Sequence, residues 1–153
     1  MEKKMSNREK FITVSMIGSI LTLGLYSLFI YNRYIATDPD IVNNLKFWGK
    51  SILILIPVTI VVQIIIHILF VIINKIVNRE DPPPMLTDEM DKLIELKATR
   101  ISHWIFILGF FLAMCALAME MPVWVMFTFL IGSGFLAGIT SDIAKLYFYK
   151  KGI

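Results

Sequence analysis

Four polar side chains stand inside long apolar stretches of this sequence: Gln63, His67, His103 and Asp142. An ionisable group at the centre of a bilayer costs about 2.5–3.5 kcal/mol even on the gentlest scale, so such groups are the first place to look for chemistry. Histidine titrates near neutrality and a carboxylate can orient its ring, a combination that suits a proton-linked relay or a polar ligand site. His67 and Asp142 each lie about six residues from one end of their stretches, roughly 9 Å at 1.5 Å per residue. Gln63 sits one turn from His67 on the same face. The plainer alternative is a buried hydrogen-bond network that fixes helix register, worth roughly 0.6–2 kcal/mol per bond in membranes. No spacing among these groups calls for a metal. Cys115 is the single cysteine and lies in an apolar run, where it reads as a small hydrophobe. Patterns of the H-E-x-x-H, G-x-S-x-G, Walker A and G-x-G-x-x-G kinds are absent, so neither catalysis nor a cofactor is expected.

A second set of residues favours close approach of helices. Gly134 and Gly138 form a small-xxx-small pair, as do Gly109 and Ala113. The pairs predict packing within the monomer, with a homo-oligomer seam as the alternative. A third set is charged: Asp88, Glu89, Asp91, Lys92 and Glu95 crowd one short stretch. Such a run is either a solvated helix face or a docking surface for a protein partner. Asp88 and Lys92 are spaced for an i,i+4 ion pair.

The elements that must position these groups are hydrophobic rods. The chain has 153 residues, 57% hydrophobic and 18% charged, with mean hydropathy +0.72. Soluble domains are nearer 45–50% apolar and about 25% charged, which sets this chain apart from them. Crossing a hydrocarbon core of about 30 Å takes roughly 20 apolar residues. Stretches near 11–31, 52–73, 101–119 and 123–148 meet that length, and from Ile52 to Ile73 only Thr59, Gln63 and His67 are polar. The first stretch is longer than a secretory signal's apolar core and is expected to be retained. The expectation is an all-α, single-domain membrane bundle of four helices in two antiparallel hairpins.

Lys and Arg set the expected orientation. Lys3, Lys4, Arg8 and Lys10 precede the first stretch. Lys75, Arg79, Lys92, Lys97 and Arg100 follow the second, and Lys145, Lys150 and Lys151 close the chain, against Arg33, Lys46 and Lys50 on the opposite side. Twelve against three places both ends and the 74–100 connection in the cytoplasm, with the chain in the inner membrane. The basic residues flank apolar segments and form no aromatic-interleaved stripe, which excludes nucleic acid as the partner and leaves the lipid bilayer. Asp38-Pro39 predicts a cap and a short surface helix over 39–49. Pro57 predicts a kink in the second helix, with Thr59 helping to satisfy the freed carbonyl. Pro82-Pro83-Pro84 reads as a stiff spacer and Thr87 as the cap of a helix running from 88 through 119. Met90, Leu93, Ile94, Lys97 and Ile101 give this helix a partly apolar face. Arg8 with Gly18, and Arg100 with Gly109, suggest a faint repeat of the hairpin.

From Asp88-Glu89-Met90-Asp91-Lys92-Leu93-Ile94-Glu95-Leu96-Lys97, through Arg100, to Leu146-Tyr147-Phe148-Tyr149-Lys150-Lys151-Gly152, the chain resembles a loose group of uncharacterised bacterial membrane proteins. In that group an acidic helix start leads into a transmembrane hairpin with a tyrosine-basic-glycine end. Met90 stands where the group has arginine. The resemblance spans about 65 residues and implies a fold and a bacterial membrane, with no site. Three readings of function are ranked on these grounds. First is a binding or regulatory membrane protein that uses residues 74–100 as its contact surface. Second is a small transporter or channel with a polar path at Gln63, His67 and Asp142. Third is an enzyme acting on lipid.

Overall fold

A computed structural model describes residues 6–78 and 88–152. Helix α1 covers Asn7–Ile30, α2 Leu45–Ile73, α3 Glu89–Ala118 and α4 Val123–Lys151, and no strand occurs among the described residues. Each of the four is long and apolar enough to cross a membrane. The proline run and Thr87 lie outside the described residues.

Local chemistry explains the helix ends. Ser6 and Glu9 form a reciprocal capping box at the start of α1, with Ser6 N–H donating to Glu9 at 2.7 Å. Helix α1 runs on through a π-turn at Tyr31–Ile35, and α2 through another at Asn74–Asn78. The short surface helix expected over 39–49 is not formed as one piece. Asp38 caps a 3-10 turn at Pro39–Asn43, and extended backbone at Asn44 then breaks the chain direction. The Asn44 side chain accepts from Lys46 N–H at 2.9 Å, so residues 45–49 become the first turn of α2. Helix α2 continues through Pro57. The Thr59 hydroxyl donates to the Ile56 carbonyl at 2.7 Å, not to Leu53, whose carbonyl the proline leaves without its helical donor. Asp88 occupies the cap position of α3 without a capping side-chain bond. A turn at Glu120, the one non-glycine described residue with positive φ, leads through Pro122 into α4.

Two antiparallel hairpins result. Helices α3 and α4 pack closely along their length, while α1 and α2 meet more sparsely. Small residues make the tight pair: Gly109, Ala113 and Ala116 of α3 are buried, as are Ser133, Ala137 and Ala144 of α4. A Cβ on Gly109 would overlap the Ser133 side chain and lie 3.3 Å from its Cα. Gly18 is the corresponding close-approach residue of the first hairpin, facing the Ile66 side chain. The packed face of α3 is not its partly apolar one. Of Met90, Leu93, Ile94, Lys97 and Ile101, only Ile94 is buried, and the packed face runs through Asp91, Ile94, Ala98 and Gly109.

Large apolar side chains point outward. Helix α1 has no buried residue and α2 has only Ser51. Leu53 of α2 is 71% exposed and Leu108 of α3 63%, and most of the isoleucine and leucine of α2 faces away from the protein.

Candidate functional site

The two hairpins touch at both ends of the bundle and diverge between them. Call the end that holds Ser6 and Gly152 the base, and the end that holds the 35–45 connection the top. At the top, the Trp48 and Phe127 rings stack with centroids 5.4 Å apart and planes 10° from parallel, joining α2 to α4. Trp48 is itself oriented by its indole N–H, which donates to the Val42 carbonyl at 2.7 Å. Tyr26 ties α1 to the top of α2 by donating to the Ser51 carbonyl at 2.6 Å.

At the base, three helices meet in one polar node. Arg8 of α1 forms an ion pair with Asp91 of α3. The Tyr149 hydroxyl of α4 donates to the other Asp91 oxygen at 3.0 Å and accepts from Arg8 at 3.4 Å. Asp91 is 6% exposed, so its charge is held away from water and needs these partners. Its position, ten residues before Ile101, lies outside the apolar stretches. Burial works to raise the pKa of the Asp91 carboxyl, but the hydrogen bonds from Arg8 and Tyr149 outweigh it and leave the group below its ordinary range. Asp91 is thus engaged inside the protein, whereas Asp88, Glu89, Lys92 and Glu95 are exposed. The expected Asp88–Lys92 ion pair is not among those of the described residues, which are Arg8–Asp91 and Asp142–Lys145.

Between these contacts lies a cleft of about 860 Å³, walled by α1 and α2 on one side and by α4 with part of α3 on the other. Helices α2 and α3 nowhere approach within 8 Å of each other, Cα to Cα, among the described residues. The same holds for α1 and α3, so α3 joins the first hairpin through α4 and the Arg8–Asp91 pair, and the cleft is partly open to the surroundings. Gln63 lines it and binds α1 through three contacts: its amide oxygen accepts from Ser15 at 2.8 Å, and its amide nitrogen donates to Ser19 Oγ at 2.6 Å and to the Ser15 carbonyl at 3.3 Å. Across the cleft, Asp142 and Lys145 of α4 face the same space, 3.8 Å apart and about a quarter exposed each. Ser102 and Ser141 stand beside them.

The structure brings together only part of the expected set. Gln63 and Asp142 share the cleft. His67 borders a shallow neighbouring groove with Thr59 and Ile64, and its ring meets Phe11 edge-on at 5.1 Å. His103 is exposed on α3 and does not line the cleft. No group of three His, Cys, Asp or Glu side chains is gathered closely enough to hold a metal among the described residues. The small-residue pairs separate as well. Gly109 and Ala113 are buried in the α3–α4 seam, whereas Gly134 and Gly138 line the cleft, and a Cβ on either would meet no heavy atom within 4 Å. Sequence reasoning did not single out Ser15, Ser19, Ser102, Ser141 and Lys145 as site residues, nor the node of Arg8 and Tyr149. The one signal for the serines was helical spacing: Ser15 and Ser19 are one turn apart, facing a glutamine that needs several partners.

Against this geometry, the chain was compared with known proteins. No family model, no curated protein and no solved structure matches it.

Proposed function

We propose that the chain is a multi-pass membrane protein, with both ends in the cytoplasm, that binds an amphipathic molecule in the cleft between its hairpins. The membrane assignment rests on the outward faces of the helices. Each large aliphatic side chain kept in water forgoes about 1.5–3 kcal/mol of burial, and a lipid surround removes that penalty. The orientation rests on the distribution of Lys and Arg.

One observation carries the binding reading. The cleft joins a polar part, made by Gln63, Asp142, Lys145 and four serines, to an apolar upper part. Binding sites between helices of a bundle combine apolar walls with a few convergent polar groups in this way. The reading keeps Gln63 and Asp142 from the expected polar path and sets His67 aside. A docking surface on the cytoplasmic part of α3 is the second reading, favoured by Leu93 and Leu96, which are exposed beside the charged residues of that segment.

The test fills the cleft. Gly134→Leu with Gly138→Leu adds bulk to the cleft at positions where a Cβ meets no heavy atom within 4 Å. A photoactivatable phospholipid added to proteoliposomes should label the peptide Leu130–Lys145 in the native protein and lose that label in the double variant. Equal labelling of this peptide in both proteins would refute the reading.

A further inference from the structure

The cleft is graded along its length, and the gradient matches one leaflet of a bilayer. Taking the Arg8–Tyr149 contact at the base as a level mark, Ser15 and Asp142 each stand seven residues above it, about 10 Å along their helices. Lys145, Ser141 and Gln63 fall in the same belt. Above that belt the lining turns apolar, with Leu23, Ile52, Leu55, Leu130 and Ile131. On α4 the lining extends from Leu130 to Lys145, about 22 Å at the helical rise. Half of a full bilayer, headgroups included, is about 20–22 Å. The polar belt lies toward the base, which the charge distribution assigns to the cytoplasm.

We infer that the cleft takes a phospholipid of the cytoplasmic leaflet, with a primary-amine headgroup at Asp142 and Lys145 and an acyl chain along the apolar upper wall. This rests on the cleft reading above and specifies its ligand. The Asp142–Lys145 pair presents one carboxylate and one ammonium, 3.8 Å apart, to the same space. A headgroup that carries both an ammonium and a phosphate complements that pair, whereas a purely anionic headgroup meets a repelling carboxylate. The carboxylate only accepts hydrogen bonds, so a primary amine, which donates three, satisfies it better than a quaternary amine, which donates none.

The experiment places the full chain in nanodiscs of equal parts phosphatidylethanolamine, phosphatidylcholine and phosphatidylglycerol, releases it in the mass spectrometer and reads the lipid retained. The amine lipid should be retained on the order of fivefold more than either of the other two lipids, a factor that a single favourable contact supplies. Asp142→Asn should abolish that enrichment and shift retention toward phosphatidylglycerol. Lys145→Gln should lower total retention while still disfavouring phosphatidylglycerol. Both side chains are partly exposed, and neither substitution leaves a void. Enrichment of phosphatidylglycerol by the native protein, or retention without preference and unchanged in both variants, would overturn the headgroup assignment. In those cases loss of the retained lipid in Gly134→Leu/Gly138→Leu keeps the cleft reading alive. Lipid retention that the filled cleft does not reduce would remove both.

Discussion

The same substitution, glycine to alanine, should act with opposite sign at two places on one hairpin. At Gly109 the added methyl would coincide with the Ser133 Cβ, 2.5 Å from Oγ and 3.3 Å from Cα. Those neighbours are the root of a side chain and the backbone of α4, so no rotamer change makes room and the helices must part. Overpacking of this kind costs about 1–3 kcal/mol. Alanine recovers roughly 0.5–1 kcal/mol because glycine is a poor helix former. The balance at Gly109 is a loss of up to about 2.5 kcal/mol. At Gly134 and Gly138 the added methyl meets no heavy atom within 4 Å, so only the propensity term remains and each change should stabilise by about 0.5–1 kcal/mol.

Equilibrium unfolding in mixed micelles, followed by tryptophan fluorescence, reads these differences. Ser133→Gly removes the side chain that obstructs Gly109→Ala, so the double variant should recover most of the loss. The resulting coupling should be about 1–2 kcal/mol, large for residues in contact. If Gly109→Ala stabilises, or if all three variants move in one direction, the assignment of α3–α4 as the tight seam and the cleft as open space is wrong. A loss at Gly134 or Gly138 that grows with protein concentration would instead identify a second copy against α4.

The remaining predictions concern the links between helices and their placement in the bilayer. Gln63→Leu removes the side-chain bonds to Ser15 and Ser19, and should weaken the α1–α2 hairpin by about 1 kcal/mol in the same unfolding assay. Asp91→Asn breaks the base node; because Arg8 is 23% exposed, the loss should fall below the 3–5 kcal/mol of a fully buried pair, at about 1–3 kcal/mol. The paired change Arg8→Met with Asp91→Leu should recover part of that loss. With the folded pKa of Asp91 below the unfolded one, the node's contribution is complete above the ordinary carboxylate value and fades as pH falls through the lower folded value. A pH titration of stability should therefore be flat near neutrality and drop only in acid, and the drop should shrink in Asp91→Asn. For orientation, Cys115→Ser provides a thiol-free background. Asp40→Cys should then react with an impermeant maleimide on intact cells, and Lys92→Cys only after permeabilisation; the reverse pattern would invert the topology.

How much of this was legible in the sequence follows from what hydropathy measures. The four rods were plain because their apolar stretches are long, and residues 52–73 contain only three polar positions. The break at Asn44 was not, since Ile41, Val42, Leu45 and Trp48 keep helical spacing across a point where extended backbone intervenes. The packed face of α3 was not legible for a more general reason. Helices surrounded by lipid gain little by hiding large aliphatic groups from it, so they turn small and polar residues toward one another. Gly109 and Ala113 therefore face inward while Leu108 and Phe111 face out. A soluble helix would be read the other way round.

The separation of Gly109 from Gly134 carries that logic to the site. Both belong to small-xxx-small pairs, and neither spacing nor composition distinguishes them. Only the placement of α4 between two neighbours does so: one face meets α3 through Ser133 and Ala137, and the other looks across a cleft toward Gln63. A helix lined with small residues on both sides can hold one partner tightly and leave room beside it. The stacked Trp48 and Phe127 at the top and the Arg8–Asp91–Tyr149 node at the base keep that room from closing, because each joins the hairpins at an end and none of these contacts crosses the middle. Loosening the base node should thus alter access to the cleft before it unfolds the bundle, and lipid labelling of Leu130–Lys145 in Asp91→Asn would read that change.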